Sequence, residues 1–373
     1  MYVPARLSYA LRPGAPPGIL VAAAAVAFMF GATPFLIPEV AAHFEVSQGL
    51  AGGISVAQVG AFATVNIALP KLAQPSGRLL VVAGSGLVIA NVLSGFAPGF
   101  AALLALRAGA GAAAGTLTWI AWTDAMRRPR SLSSLASAGP VTALVGAPLL
   151  SLIAELGDRA VYLALAAAAI PIVFMKFNPG EATRTQTVSK SRSNRILLAA
   201  LFLQVLAGSA LFVFLAVAAR EELGLSPVAG SLAFSLNALG GLIGARLSAR
   251  HRRPGLWLAT SGLAAFLTIG GGHPVWFFLG LFWWGLAFWM GIPGVLQMLA
   301  DRSLEPGERA GDAQAVMAIG RTIGPIIGGG LTDAGAFTEL ALIAGVGMTA
   351  SGLTVVGVQE GREMLPPSPT NPG

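Results

Sequence analysis

Residues 196–219 read ILLAALFLQVLAGSALFVFLAVAA, and the residues before them, 178–195, read NPGEATRTQTVSKSRSNR. The first stretch carries no charge, and its length is sufficient to cross the hydrocarbon core of a bilayer as a helix. The second stretch is polar and basic. An apolar run of this length beside a basic flank is typical of a membrane-spanning helix, and the pattern recurs along the whole chain.

Twelve apolar segments of this kind fill the chain, and we number them spans 1 to 12. They are 19–42, 49–70, 79–97, 99–123, 134–156, 159–177, 196–219, 227–247, 255–271, 275–300, 312–334 and 337–358. Composition agrees, since 55% of the 373 residues are hydrophobic and 10% are charged, whereas soluble proteins carry about 25% charged residues. The sequence therefore predicts an all-α membrane protein. It excludes a soluble enzyme, a disordered chain and a nucleic-acid-binding domain despite the net charge of +7.

Lysine and arginine are unevenly distributed among the loops. With the N-terminus inside, nineteen of the 23 basic residues lie in interior loops and only Arg159 and Arg220 in exterior loops. Short cytoplasmic loops carry such an excess, so we expect both termini in the cytoplasm. Arg6 and Arg12 precede span 1 as in a signal peptide, but the apolar run that follows is too long for one. The arginine- and alanine-rich composition suggests a bacterial inner-membrane protein that crosses the bilayer many times.

The two halves of the chain share landmarks at nearly constant spacing. Four pairs lie 176 to 179 residues apart: Asp124 and Asp301, Pro148 and Pro325, Ser47 and Ser226, and Pro98 and Pro274. Such an offset indicates an internal duplication, which is common in transporters. We therefore predict two pseudo-symmetric six-helix bundles, 1–177 and 196–358, a cytoplasmic linker at 178–195 and a cytoplasmic tail at 359–373.

Catalytic and cofactor signatures are missing from the sequence. There is no cysteine, and the three histidines, His43, His251 and His273, are far apart. No Walker-type phosphate loop and no GxGxxG after a strand occurs. We therefore expect no enzyme activity, no cofactor and no metal site, and an ion gradient rather than ATP as the source of energy.

Three motifs resemble those of the major facilitator superfamily. Span 11 contains Gly320–Gly329, GRTIGPIIGG, which is similar to the GxxxGPxxGG pattern that antiporters of the family carry in span 5. In span 4, Arg107 precedes a run of glycines, as in the family. The loop after span 2, Pro70–Arg78, reads PKLAQPSGR where the family has GxLADRxGRR, so that Gln74 replaces the aspartate. The resemblance implies alternating access around a cavity lined by spans 1, 4, 7 and 10.

Polar and aromatic residues at membrane depth are the candidates for substrate binding or proton coupling. They are Glu39, Arg107, Gln204, Trp289, Gln297 and Arg321. A charged group at this depth must face protein or water, because exposure to lipid costs several kcal/mol. Glu39 and Arg107 are expected at similar depth, where they could pair, and a carboxylate that trades between a proton and an arginine could couple transport to a proton gradient. Arg321 could form a gating pair or contact substrate, and Arg107 could instead belong to a structural ion pair within its half.

A second set of candidates concerns gating. Asp124 and Asp301 end spans 4 and 10 beside arginine-bearing loops, and Gly77 and Arg78 remain from the family's loop motif. In span 11, Gly320, Gly324 and Gly328 form one smooth face around Pro325, which favours close helix approach. We expect this face to let the halves rock against each other.

Taken together, the residues predict a secondary transporter of small organic molecules that works by proton-coupled efflux, as a monomer in the bilayer. Small-molecule substrate and protons are its expected partners, and nucleic acid is not one. Two alternatives remain open. One is proton symport of a sugar or small organic anion. The other is a transporter-like scaffold that binds without turnover, for which the altered loop after span 2 is the support.

Overall fold

The computed structural model describes residues 15–125, 129–175, 192–248, 253–301 and 306–363. Within these ranges the chain is helical and contains no strand. Every one of the twelve predicted spans coincides with a helix or a pair of helices, so the all-α prediction is confirmed. The predicted linker residues 178–191, the tail residues 364–373 and residues 1–14 lie outside the described ranges.

Nine spans consist of one helix each. For spans 3 to 6 these are Gly77–Ser94, Phe100–Ala125, Pro129–Ala154 and Asp158–Phe174. For spans 8 to 12 they are Pro227–Leu247, Pro254–Gly270, Pro274–Asp301, Pro306–Asp333 and Phe337–Glu363. Spans 1, 2 and 7 each consist of two helices, namely Pro17–Gly31 with Thr33–Phe44, Gln48–Ala51 with Gly53–Leu72, and Arg192–Phe212 with Leu215–Glu221.

Length and hydropathy support most of these spans as membrane crossings. Nine described helices are long and apolar enough to cross a bilayer, and the bent pair of span 1 brings the number to ten. Spans 6 and 9 are helices of 17 residues each, which is at the lower end of the length that a bilayer requires. Large apolar side chains are exposed along many of these helices, such as Val82, Val145, Leu263 and Val346, as expected of surfaces that face lipid.

The bend of 49° in span 1 has a local cause. The second helix of the span begins at Thr33. Its second residue is Pro34, and Pro38 lies within it. Proline removes a backbone donor and clashes with the carbonyl of the preceding turn. The first helix therefore ends at Gly31 and the second sets off in a new direction.

Local contacts repeat between the two halves and confirm the pseudo-symmetry. The hydroxyl of Ser47 accepts a hydrogen bond from the Leu50 amide at the start of span 2, and that of Ser226 accepts one from the Ala229 amide at the start of span 8. Both serines are thus helix N-caps. Two close crossings also correspond: Gly111 of span 4 lies against the Gln58 backbone of span 2, and Gly285 of span 10 lies against the Asn237 backbone of span 8.

Helices pack on one another both within and between the two predicted groups of six. In the N-terminal half, span 2 packs on span 4, span 3 on span 6 and span 1 on span 5. In the C-terminal half, span 8 packs on span 10, span 9 on span 12 and span 7 on span 11. The halves meet where span 5 packs on span 8 and where span 2 packs on span 11. We call these two contacts the 5–8 seam and the 2–11 seam.

The apolar core shows where the halves are joined. We call the end of the molecule that holds Ser47 and Asp333 the outer end, because it is predicted to face the exterior. One large cluster of buried side chains includes residues of both halves, among them Phe35, Phe214 and Phe337. A second, smaller cluster lies toward the other end, the inner end, and consists of residues between 197 and 358 alone, all from the C-terminal half. The halves therefore share a core at the outer end, and the C-terminal half has a core of its own at the inner end.

Candidate transport cleft

At the outer end of the 2–11 seam, one carboxylate of span 11 connects the two helices. Asp333, at the end of span 11, accepts a hydrogen bond of 2.7 Å from the Gly49 amide and another of 2.7 Å from the Ser47 hydroxyl. These donors are the first groups of span 2, where the unpaired amides of a helix favour a negative charge. Asp333 thus caps a helix of the opposite half. We call this contact the outer latch.

Glycine permits the close approach of the two helices at the latch. A Cβ atom on Gly49 would collide with the Gly329 carbonyl oxygen and with the Asp333 carboxylate. A Cβ atom on Gly329 would lie 2.9 Å from the Gly49 oxygen. The backbones of spans 2 and 11 therefore touch here, and a side chain at position 49 would hold the outer ends of the halves apart.

Aromatic rings form a second connection between the halves. Phe35 of span 1 meets Phe234 of span 8 edge to face, with ring centroids 5.3 Å apart. Phe234 in turn meets Phe212 of span 7 at 5.3 Å, and Phe212 meets Trp284 of span 10 at 5.6 Å. Such pairs are individually worth about 0.5–1.5 kcal/mol beyond the area they bury. The rings join spans 7, 8 and 10 to the N-terminal half across the axis of the molecule.

Several charged groups lie near the outer end of span 1. The Nδ1 atom of His43 is 2.9 and 3.0 Å from the two carboxylate oxygens of Asp158, at the start of span 6. One turn before His43, Glu39 is half-buried and lies within electrostatic reach of Asp158 and of Arg220 in the opposite half. Glu39 thus lies near charged groups of both halves.

Arg107 is enclosed within the N-terminal half. Its side chain is 1% exposed. The guanidinium donates to the side-chain oxygen of Gln58 through two nitrogens, to that of Asn91 at 2.8 Å and to the Ser94 hydroxyl at 3.3 Å. It also stands over the Tyr162 ring, 5.1 Å from its centroid. These four partners come from spans 2, 3 and 6, so the predicted pairing of Arg107 with Glu39 is wrong: the guanidinium points into the bundle and its donors are already used.

Arg321 occupies a different environment from Arg107. It is the sixteenth residue of the 28-residue helix Pro306–Asp333, at middle depth of span 11. Its side chain is exposed, although it is densely surrounded by protein atoms. Accessible surface in such crowded surroundings is typical of a residue that lines a cleft.

The contacts of span 11 identify the side on which Arg321 lies. One face packs on span 7 and consists of Gly320, Gly324 and Gly328. A second face packs on span 2 and consists of Thr322, Gly329 and Asp333. A third carries exposed apolar residues, Ile323, Ile326 and Ile327, and faces lipid. At about 100° per residue, Arg321 falls between the first two faces and opposite the third, so it points toward the cleft between the halves.

The comparisons with known proteins agree with this architecture. A family model described as Major Facilitator Superfamily matches residues 19–329. The chain belongs to the major facilitator superfamily. It is therefore a multi-pass membrane protein of a transporter family, and not an enzyme.

Solved structures of other major facilitators share the fold at low sequence identity. A bacterial homologue of the human lysosomal transporter Spinster, inward-facing and occupied, is 14% identical over 92% of this chain and 94% of that chain, with a TM-score of 0.69. A point mutant of the nucleoside transporter NupG is 13% identical over 91% of this chain and 98% of that chain, also with a TM-score of 0.69. The inward-facing, unoccupied form of the Spinster homologue has a TM-score of 0.62 at 13% identity, over 92% and 95% of the two chains. A comparison with curated protein sequences finds no match.

The remaining binding candidates of this major facilitator are dispersed. Gln204 is fully buried and donates to the Ser261 hydroxyl of span 9 at 2.8 Å, so in this conformation it faces the inside of its own half. Trp289 is half-buried and its indole packs against Gly241 of span 8. Gln297 is exposed near the inner end of span 10 and donates to Asp301 at 2.6 Å. Of the predicted binding residues, Arg321 is the charged one whose position around its helix directs it between the two halves.

The four gating candidates outside span 11 lie at the inner ends of their spans. Asp124 is buried at the inner end of span 4, and Asp301 is exposed and bonds within its own helix. Gly77 and Arg78 begin span 3 directly after the Ser76 N-cap. Their roles at the inner gate stay predictions.

The expectation for the glycines of span 11 needs correction. Gly320, Gly324 and Gly328 meet the backbone of span 7 in the same half, around Phe202, Leu206 and Ala210. They therefore hold the C-terminal half together and do not form the surface on which the halves rock. Pro325 is buried within the same helix, which continues through it.

Sequence reasoning missed the outer latch. Ser47 was noted as a repeat landmark and Asp333 lies at the end of span 11, but nothing in the sequence joins residues 286 positions apart. A glycine two residues after an N-cap serine is the one available signal at position 49, and it is weak.

Proposed function

We propose that this major facilitator is a proton-coupled secondary transporter that exports small organic molecules by alternating access. The observation that carries the proposal is the unequal joining of the halves. At the outer end they share a core, the outer latch and the aromatic rings, while at the inner end the C-terminal half has its own core. A molecule with this arrangement can admit substrate from the inner end. It must break the contacts at the outer end before it can release substrate there.

Proton coupling is assigned to Glu39. Its carboxylate lies in the N-terminal half, and its charge interacts with Arg220 in the C-terminal half. Protonation removes the attraction between them and so changes the relative free energies of the closed and open outer end. A ligand shifts a conformational equilibrium only through such a difference between states. A proton bound at Glu39 would supply such a free-energy difference, and it would do so without any contact between Glu39 and Arg107.

Proton flux in proteoliposomes tests the proposal. A pH dye is trapped inside, and a lipophilic cation, a neutral drug, a sugar and an organic acid are added outside in turn. We expect at least one compound to change the interior pH with the wild-type protein, and the change to be lost in Glu39→Gln. The matched control is Glu339→Gln, an exposed carboxylate at the start of span 12, which should keep the change.

The sign of the pH change separates the proposal from symport. Exchange of an entering compound for a proton makes the interior more alkaline, whereas symport with a proton makes it more acidic. Symport of an organic anion is the second candidate, because Arg321 faces the cleft. A compound-dependent change that survives Glu39→Gln places the coupling elsewhere. Absence of any change with folded wild-type protein contradicts proton coupling for this panel and favours the scaffold alternative.

A further inference from the structure

We propose that Arg321 is the anion-binding residue of the cleft and that the substrate is an organic molecule with a single negative charge, a monocarboxylate with an apolar body. The inference rests on the proposed transport function, since it names the substrate class of the same cleft. It does not depend on the direction of transport or on the coupling ion.

The first step is that the guanidinium of Arg321 is unused. Among the described residues it has no hydrogen bond and no ion pair, although it carries five N–H donors. Arginine stays protonated under all ordinary conditions. A charge at middle depth of a membrane protein is costly unless it reaches water or an opposite charge. The side chain therefore faces a hydrated cleft and has its donors available for a ligand.

The second step is the contrast with Arg107. The two arginines are the basic residues that lie away from the ends of the predicted spans, and Arg107 is engaged by Gln58, Asn91 and Ser94 in the N-terminal half. Its charge holds three helices together and does not reach the cleft. Among the residues that the structure describes, the cleft thus has one available cationic group at this depth, which suits one negative charge on the substrate.

The third step concerns the rest of the ligand. The helices around the cleft carry half-buried aromatic side chains in both halves. Phe30 of span 1 and Phe62 of span 2 meet edge to face at 5.2 Å, and Phe202 of span 7 and Trp289 of span 10 are also half-buried. Aromatic rings favour an apolar body. A planar guanidinium binds a carboxylate through two parallel hydrogen bonds, so the ligand combines an apolar body with one carboxylate.

Two sets of probes that differ only in charge test this assignment. One set is benzoate, benzamide and benzylamine, and the other is octanoate, octanamide and octylamine. Equilibrium dialysis of each radiolabelled probe against the purified full-length protein gives its affinity without any need for transport. We expect both carboxylates to bind the wild-type protein at least tenfold more tightly than the matching amides and amines.

Three variants connect the selectivity to Arg321. In Arg321→Gln the affinity for the carboxylates should fall by about tenfold to a hundredfold, the usual effect of losing a hydrogen bond to a charged group, while the affinity for the amides stays unchanged. Arg321→Lys keeps the charge but not the planar fork, so it should bind the carboxylates with intermediate affinity. Arg195→Gln removes an exposed arginine at the start of span 7 and should bind like the wild type.

The outcomes separate the anion site from the transport function. Equal affinity for carboxylates, amides and amines, no binding of any probe to the wild-type protein, or carboxylate selectivity that persists in a folded Arg321→Gln each overturn the anion assignment. If the carboxylates bind through Arg321 but none crosses the membrane in proteoliposomes, the anion site stands and the transport proposal fails for them. If other compounds are transported and Arg321→Gln transports them normally, transport stands and the anion site fails.

Discussion

Arg107 and Arg321 both lie at membrane depth, but their side chains have very different surroundings. Arg107 is surrounded by amide and hydroxyl acceptors from spans 2 and 3, whereas Arg321 faces the cleft with none among the described residues. A buried arginine whose three nitrogens all donate hydrogen bonds within its bundle belongs to the framework of the fold. An exposed arginine between helices is available for recognition.

This contrast predicts a large loss of stability from one substitution and almost none from the same substitution at the other arginine. Arg107→Gln should lower the free energy of unfolding by about 2–4 kcal/mol, because Gln58 and Asn91 lose their donor while remaining buried. Arg321→Gln should change it by no more than about 0.5 kcal/mol, as for an exposed site. Thermal unfolding of the two variants in the same detergent measures the difference. Equal stability of both would contradict the enclosed role of Arg107.

At this scale the sequence predicted the polar groups but not their partners. Gln204 was predicted to bind substrate, but it is buried and donates to Ser261 within its own half. The pairing of Glu39 with Arg107 failed because depth along a helix was known and direction around it was not. The direction depends on which neighbouring helix offers acceptors, and that follows from packing between segments far apart in the sequence.

Span 11 is a helix with three distinct faces, each in a different environment. One side packs on span 7, one on span 2, and one faces lipid, with Arg321 between the first two. The glycine pattern correctly predicted a smooth, closely packed face. It could not predict which helix lies against that face, since glycine allows close approach to any neighbour.

The face on span 7 yields a test within this one helix. A Cβ atom on Gly328 would collide with the Ala210 carbonyl oxygen, whereas one on Gly330 meets nothing within 4 Å. Gly328→Ala should therefore destabilise the protein by about 1–3 kcal/mol, because the helices must separate. Gly330→Ala should be neutral or slightly stabilising, because alanine is the better helix former. Thermal unfolding of the two variants compares them directly, and a stable Gly328→Ala would show that spans 7 and 11 are not this close.

On the scale of the whole molecule, most of the architecture could be predicted. The twelve apolar segments are helical, and the constant offset of Ser47 and Ser226 indicated a duplication that both N-caps confirm. These features are encoded within single segments or in their spacing. The joining of the halves at the outer end depends on contacts between residues such as Phe35 and Phe234, and no pattern within one segment reports them.

The close contact of spans 2 and 11 at the outer end predicts that a single added methyl group at position 49 changes the conformation of the protein. Gly49→Ala should prevent spans 2 and 11 from meeting and so shift the molecule toward an open outer end. Because the natural chain contains no cysteine, spin labels can be attached at Leu156→Cys and Ala334→Cys, which are exposed at the outer end of opposite halves. The distance between the labels, measured by double electron–electron resonance, should increase in Gly49→Ala.

The control for this experiment lies in the same span. A Cβ atom on Gly53 would make only an ordinary contact of 3.5 Å with Leu104, so Gly53→Ala should leave the distance distribution as in the wild type. An unchanged distribution in Gly49→Ala would mean that the latch does not control the outer end.

The outer latch also breaks the twofold symmetry of the molecule. The repeat that relates Pro148 to Pro325 relates Asp333 to position 156, and that residue is an exposed leucine. The 5–8 seam instead has a neutral bond of 2.8 Å from the Ser235 hydroxyl to the Leu144 carbonyl, deeper in the molecule. The 2–11 seam is thus joined at its outer end by the charged Asp333. The 5–8 seam is joined near its middle by a hydrogen bond between neutral groups. Opening to the exterior should then be a swing like that of a door, with its lock on spans 2 and 11 and its hinge on spans 5 and 8.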